Sequence, residues 1–221
     1  HNVIAYQKRI AYIALLAFII TITFFSLNTA NAKSLIIKDI QGHWAEQTIQ
    51  KMADAGIISG NPDGNFNPEE KITRAEFATL VVKVYKLSGS GKVFADTTSH
   101  WAKDYIVIAS ANGIVNGYSD SEFGPNDPIT REQMAVMAVK AAQLGTSDAT
   151  LSFADSAKVS AWASTAVATA YANKIIKGLP NGCFAPQDNA TRAQAAVVIN
   201  ASLNAKVTPP AVVVPEQDYS L

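Results

Sequence analysis

Thr73-Arg74-Ala75-Glu76, Thr130-Arg131-Glu132-Gln133 and Thr191-Arg192-Ala193-Gln194 are three copies of one helix-opening signal. Each arginine stands 30 residues after a tryptophan, Trp44, Trp101 or Trp162, and the 221 residues hold no other tryptophan. Working outward from this pair of marks, Phe66, Phe123 and Phe184 fall 22 residues after the tryptophan, and Pro68, Pro125 and Pro186 fall 24 after it. A glycine stands at plus 16 in every copy (Gly60, Gly117, Gly178), and an aspartate precedes each tryptophan (Asp39, Asp96, Asp155). Alignment at this many positions marks a tandem repeat, which decides the architecture before any single element is assigned.

Within a repeat the apolar period reads helix, loop, helix. Ala45, Thr48, Ile49, Met52, Ala53 and Gly56 make a 3, 4, 3, 4 stripe in copy one, and Ala102, Tyr105, Ile106, Ala109 and Gly113 repeat it in copy two. Gly56-Ile57-Ile58-Ser59-Gly60-Asn61-Pro62-Asp63-Gly64-Asn65-Phe66 then ends the helix and builds a turn-rich loop. A second helix opens at Thr73, Thr130 or Thr191, because Thr-x-x-Glu/Gln is a capping box: the hydroxyl takes the third helical amide and the Glu or Gln reaches back. One such unit buries too little surface to stand alone, so three are expected to pack as one body. The expected fold is mainly all-α, three helix-loop-helix repeats in a pseudo-threefold bundle.

The rest of the chain frames the repeats. Lys8 and Arg9, the uncharged run Ile10 to Leu27 and Ala30-Asn31-Ala32 have the three parts of a secretory signal, expected over residues 1–32. The apolar run approaches the length of a membrane span, so retention stays open beside cleavage; either outcome exports the repeats. The remainder is expected to divide into repeat 1 at 33–87, a flexible Ser/Gly joint at 88–92, repeat 2 at 93–145, repeat 3 at 151–205 and a Pro-rich linker at 206–221. The chain opens on His1 and closes inside that linker, so it is expected to be a piece of a longer protein. After residue 32, eighteen acidic residues face sixteen basic ones, a balance that argues against a nucleic-acid partner. One cysteine, Cys183, excludes an internal disulfide framework and reads as a small core or loop residue.

The aspartate lead, His43-Trp44-Ala45 and His100-Trp101-Ala102, the Gly-Ile-Ile/Val-x-Gly turn and Ile72-Thr73-Arg74-Ala75-Glu76 together resemble the S-layer homology family, over about residues 35–205. The resemblance implies a secreted protein held non-covalently at the cell wall or S-layer surface, with no membrane partner once the signal is removed. Its implied partner is a secondary cell wall polymer, a peptidoglycan-linked glycan often carrying a pyruvyl ketal. It further implies pockets in grooves between neighbouring repeats.

A pyruvyl ketal presents a carboxylate, and a guanidinium grips that planar group with two parallel hydrogen bonds. Arg74, Arg131 and Arg192 are therefore the expected anion-binding residues, aided by free amides at their helix starts. Trp44, Trp101 and Trp162 are candidate walls for sugar faces, with a core position as the alternative. Asp39, Asp96 and Asp155 are candidate hydroxyl acceptors or else caps of the first helix. Gly60 and Gly117 would allow close approach to a sugar. For the arginines, surface ion pairs with Glu76 or another carboxylate remain the alternative. Copy three departs from the others at Ala161, Lys174, Leu179 and Asn189-Ala190, so it is expected to serve packing more than binding.

No catalytic residue, metal ligand or cofactor is expected in this segment. His43 and His100 lack a Cys or paired His at ligand spacing. No Gly-x-Ser-x-Gly elbow precedes a helix. Counted from Asn61, the calcium-loop positions six and twelve hold Phe66 and Ile72. Three functions remain: a wall-anchoring module, the anchor portion of a larger surface enzyme such as a glycoside hydrolase, and an S-layer lattice subunit.

Overall fold

The computed structural model of the chain describes residues 37–207. The expected secretion signal and all but the start of the expected linker lie outside the described residues.

Among the described residues six helices run in order: α1 (Glu46–Asp54), α2 (Arg74–Val84), α3 (Lys103–Ala111), α4 (Arg131–Ala142), α5 (Ser164–Ala172) and α6 (Arg192–Val207). Each repeat opens with a short 3-10 turn, at Lys38–Ile40, Ala95–Thr97 and Ser156–Lys158. The expected all-α architecture is the one that forms. The capping boxes of α2 and α4 are complete, with Thr73 and Thr130 hydroxyls accepting the Glu76 and Gln133 amides and the longer side chains returning the bond. Thr191 and Gln194 exchange the same pair at α6.

The two helices of a repeat have different jobs. α1, a one-faced helix, buries Ile49, Met52 and Ala53. On α2, by contrast, Arg74, Ala75, Phe77, Ala78, Thr79, Val81 and Val82 are all buried, the signature of a helix surrounded by protein. α4 is buried in the same way. The second helices form the centre, and the first helices pack outside them across repeat boundaries: α2 against α3, α4 against α5, and α6 back against α1. No repeat closes on itself, so the triple is one interlocked body.

A ring of backbone hydrogen bonds marks the pseudo-threefold axis. The Ile72 amide donates to the Ala190 carbonyl (3.1 Å), Ala190 to Ile129 (2.9 Å), and Ile129 to Ile72 (3.0 Å). Among the described residues, pairing of β type is limited to isolated bridges around this ring. Phe66, Phe123 and Phe184 are almost fully buried plugs beneath the loops, which explains their fixed spacing.

The Ser/Gly segment lies against the end of α3, where Asn112 Nδ2 donates to the Ser88 carbonyl (3.0 Å). Gly91 lies so close to α3 that an added Cβ would sit 2.6 Å from the Val107 carbonyl oxygen. Its glycines serve close packing. α6 continues to Val207, two residues into the stretch read as the linker.

Candidate functional site

The arginine of each box leaves its helix start and crosses to the loop of the next repeat. Arg74 donates from Nε to the Phe123 carbonyl (2.9 Å) and from Nη2 to the Asn116 carbonyl (3.3 Å). Arg131 does the same with Phe184 (2.7 Å) and Lys177 (3.2 Å). Arg192 closes the circle from its Nε to the Phe66 carbonyl (2.8 Å). A guanidinium carries five N–H donors. Arg74 and Arg131 therefore each keep three beyond these bonds, in an orientation set by rigid backbone.

The alternative, an ion pair with Glu76, does not form, because that carboxylate is engaged in its capping box. Arg74 is 5% exposed. Burial is the largest influence on it and lowers its pKa, opposed by Tyr118, Asp127 and Asp96; Arg131 is lowered for the same leading reason. An arginine keeps its proton throughout the ordinary pH range, so these are partly desolvated cations.

Rings flank the charge. The Arg74 guanidinium carbon lies 4.4 Å from the Tyr118 ring centroid and 4.6 Å from that of Phe123. Tyr118 is half exposed, and burial is the largest influence raising the pKa of its hydroxyl, opposed by the Arg74 charge. Arg131 and Arg192 each lie over one ring, Phe184 (5.1 Å) and Phe66 (4.8 Å). A groove of about 820 Å³ opens above Arg74, lined by Asn116, Gly117, Tyr118, Gln133, Lys140 and Trp162 among others. Repeat one supplies the arginine, repeat two the loop and helix, and repeat three the tryptophan. Arg74, Gly117 and Trp162 are thus brought together, though no two belong to the same repeat. Tyr118 and Lys140 escaped the sequence reading. The only signal for Tyr118 was an aromatic residue where copies one and three hold Asn61 and Leu179.

The tryptophans are not core plugs. Trp44, Trp101 and Trp162 are 62%, 63% and 62% exposed, because the buried stripe of each first helix starts one residue later, at Ala45, Ala102 and Ala163. The aspartates do not cap those helices. Asp39 accepts the Phe66 and Asn67 amides (both 2.7 Å), Asp96 those of Phe123 and Gly124, and Asp155 those of Phe184 and Ala185. Burial, the largest influence, pushes the Asp39 and Asp155 carboxyls up, but the loop amides outweigh it and both end below the usual range.

The helix-start amides expected to be free are taken as well. Arg74 and Ala75 donate theirs to Asp127 and Pro125, Arg131 and Glu132 to Asp188 and Pro186, and Arg192 and Ala193 to Glu70 and Pro68. An anion above Arg74 therefore meets the side chain. Gly117 is required by the loop interior, where a Cβ would collide with the Phe94 ring and the carbonyl oxygens of Ser119 and Glu122. A Cβ at Gly60 would lie 3.0 Å from the Asn65 carbonyl oxygen. At helix entry, His43 and His100 accept the Ala45 and Ala102 amides at Nδ1 (both 3.1 Å).

Interlocked repeats with a buried cation at the floor of an inter-repeat groove define a repeat-built binding module. The chain belongs to the S-layer homology family: the family's sequence model, S-layer homology domain, matches residues 36–78, 93–135 and 152–196. It is 35% identical over 192 residues to an amylopullulanase of Thermoanaerobacterium thermosulfurigenes, covering 81% of this chain and 10% of that protein. It is 38% identical over 172 residues to the surface-layer 125 kDa protein of Lysinibacillus sphaericus, covering 75% and 15%. A cellulosome-anchoring protein of Acetivibrio thermocellus is 34% identical over 141 residues, covering 59% and 31%. The chain therefore spans between a tenth and a third of the length of these relatives. It is a cell-surface anchoring segment. No helix among the described residues is long and apolar enough to cross a membrane.

Proposed function

We propose that this segment, itself non-catalytic, holds a secreted protein on the bacterial wall by binding an acidic secondary wall polymer, a pyruvylated glycan, in the grooves between its repeats. The observation that carries this reading is Arg74: a desolvated guanidinium fixed by two backbone carbonyls, flanked by two rings and facing an open groove. A carboxylate taking two of its remaining N–H groups gains charge-assisted bonds without having to order the side chain. Trp162 and Tyr118 then offer apolar faces to the pyranose.

Residues 1–32 are assigned to export, and residues 206–221 to a linker toward cargo. That cargo is a surface enzyme or a lattice protein, as the amylopullulanase and surface-layer relatives illustrate. The test is co-sedimentation with purified walls, intact or stripped of pyruvyl groups. Retention on intact walls and loss on stripped ones is expected; equal retention on both would overturn the pyruvyl reading.

A further inference from the structure

The third repeat lacks the histidine that props the tryptophan in the other two, yet Trp162 stands as exposed as Trp44 and Trp101. In copies one and two the histidine accepts the amide just after the tryptophan, and its ring lies 5.4 Å from the indole at 37°. Ala161 can do neither. The Ala163 amide turns instead to the Ser160 carbonyl (2.9 Å), which closes a tight turn with Trp162 as its third residue.

That turn is held from another repeat. Glu132, in the first turn of α4, accepts the Ser160 amide at Oε2 (2.9 Å) and the Ser160 hydroxyl at Oε1 (2.7 Å). Gln187 adds a longer contact to Oε1 (3.5 Å) and donates to the Lys158 carbonyl (2.7 Å). The equivalent positions in the other copies hold Ala75 and Ala193, both fully buried. Glu132 is only 3% exposed and makes no ion pair with any described residue. Its neighbour Arg131 reaches away to Phe184 and Lys177. A buried carboxylate without a countercharge is costly where a methyl group suffices, so its hydrogen bonds must accomplish something that alanine does not.

We infer that Glu132 is the positioning residue for Trp162, replacing from the second repeat the histidine missing from the third, and so setting the aromatic wall of the groove above Arg74. Its effect on wall binding rests on the proposed function; its effect on Trp162 does not. The device joins the repeat 2–3 contact to a groove whose cation comes from repeat 1, and Ala75 and Ala193 need no counterpart because His43 and His100 are present.

Indole N–H resonances of the full chain test this, with Trp44 and Trp101 as internal controls assigned by single Trp→Phe changes. Glu132→Ala is expected to shift or broaden the Trp162 signal alone and to weaken sedimentation with intact walls three- to tenfold. Adding Ala161→His, which restores the prop used elsewhere, is expected to recover both. An unmoved Trp162 signal, equal movement of all three indoles, or no recovery in the double variant would overturn the assignment. Should Glu132→Ala fail to fold, Ser160→Ala removes only the hydroxyl bond and must still give a smaller shift confined to Trp162. If the unmodified chain ignores walls altogether, the proposed function falls while the indole measurement still judges Glu132.

Discussion

Arg74 and Arg192 leave equivalent threonine-capped helix starts and reach the same loop position in the following repeat, yet they arrive in different surroundings. Arg74 makes two carbonyl bonds between two rings and is buried. Arg192 makes one such bond over one ring and is half buried. The box sets the reach of the guanidinium. Its surroundings are set by another copy, through Tyr118 in one case and Asn61 in the other. The groove above Arg74 is therefore assembled from all three repeats, and copy three, divergent in its own loop, still supplies its tryptophan.

The sharpest way to break this comparison is to remove the two arginines separately. Arg74→Ala is expected to lower wall affinity about ten- to a hundredfold, the loss of a charge-assisted bond pair of about 1.5–3 kcal/mol. Arg192→Ala is expected to give a clearly smaller loss, both measured by quantitative sedimentation with helix content checked by circular dichroism. Equal losses would show that the surroundings do not matter.

Next come the backbone positions where copy three departs. Lys174 and Ala185 hold left-handed φ of 58° and 55°, where copy two has Gly113 and Gly124. Lys174→Gly and Ala185→Gly are each expected to stabilise the fold by about 1 kcal/mol, read from urea midpoints, because a Cβ is strained in that region. Tyr118→Leu, which copies Leu179 into the Arg74 groove, is expected to cost about 0.5–1 kcal/mol of wall affinity.

The smallest effect concerns pH. The Asp39 and Asp155 carboxyls lie below their ordinary values in the fold, so their contribution is complete above the unfolded range near ~4 and is lost as pH falls toward the folded values. Both groups are largely solvated, so the loss per site is expected to stay under about 1 kcal/mol. Urea midpoints at pH 6 and pH 3 check it: Asp155→Asn should flatten the difference.

Much was legible from residue spacing. Threonine, arginine and Glu/Gln at fixed intervals announced three capped helices, and the aspartate-glycine-phenylalanine series announced three equivalent loops. The tryptophans were harder, because a large apolar residue at a helix start reads as a core plug by type alone. Only the packed helices show that the buried stripe begins at the following alanine. The aspartates misled for a related reason: their partners lie 27 to 30 residues away, beyond any local capping pattern.

By itself, the sequence determined the number of repeats, the start of each second helix and the residue types at each loop position, since these derive from short-range hydrogen bonding and periodicity. The tertiary structure alone decided which helix packs on which, that the helix-start amides are consumed by the neighbouring repeat, and that one groove joins Arg74, Tyr118 and Trp162. The reason is ring closure. A repeat that buries its second helix against the next copy leaves its own sequence silent about its neighbours.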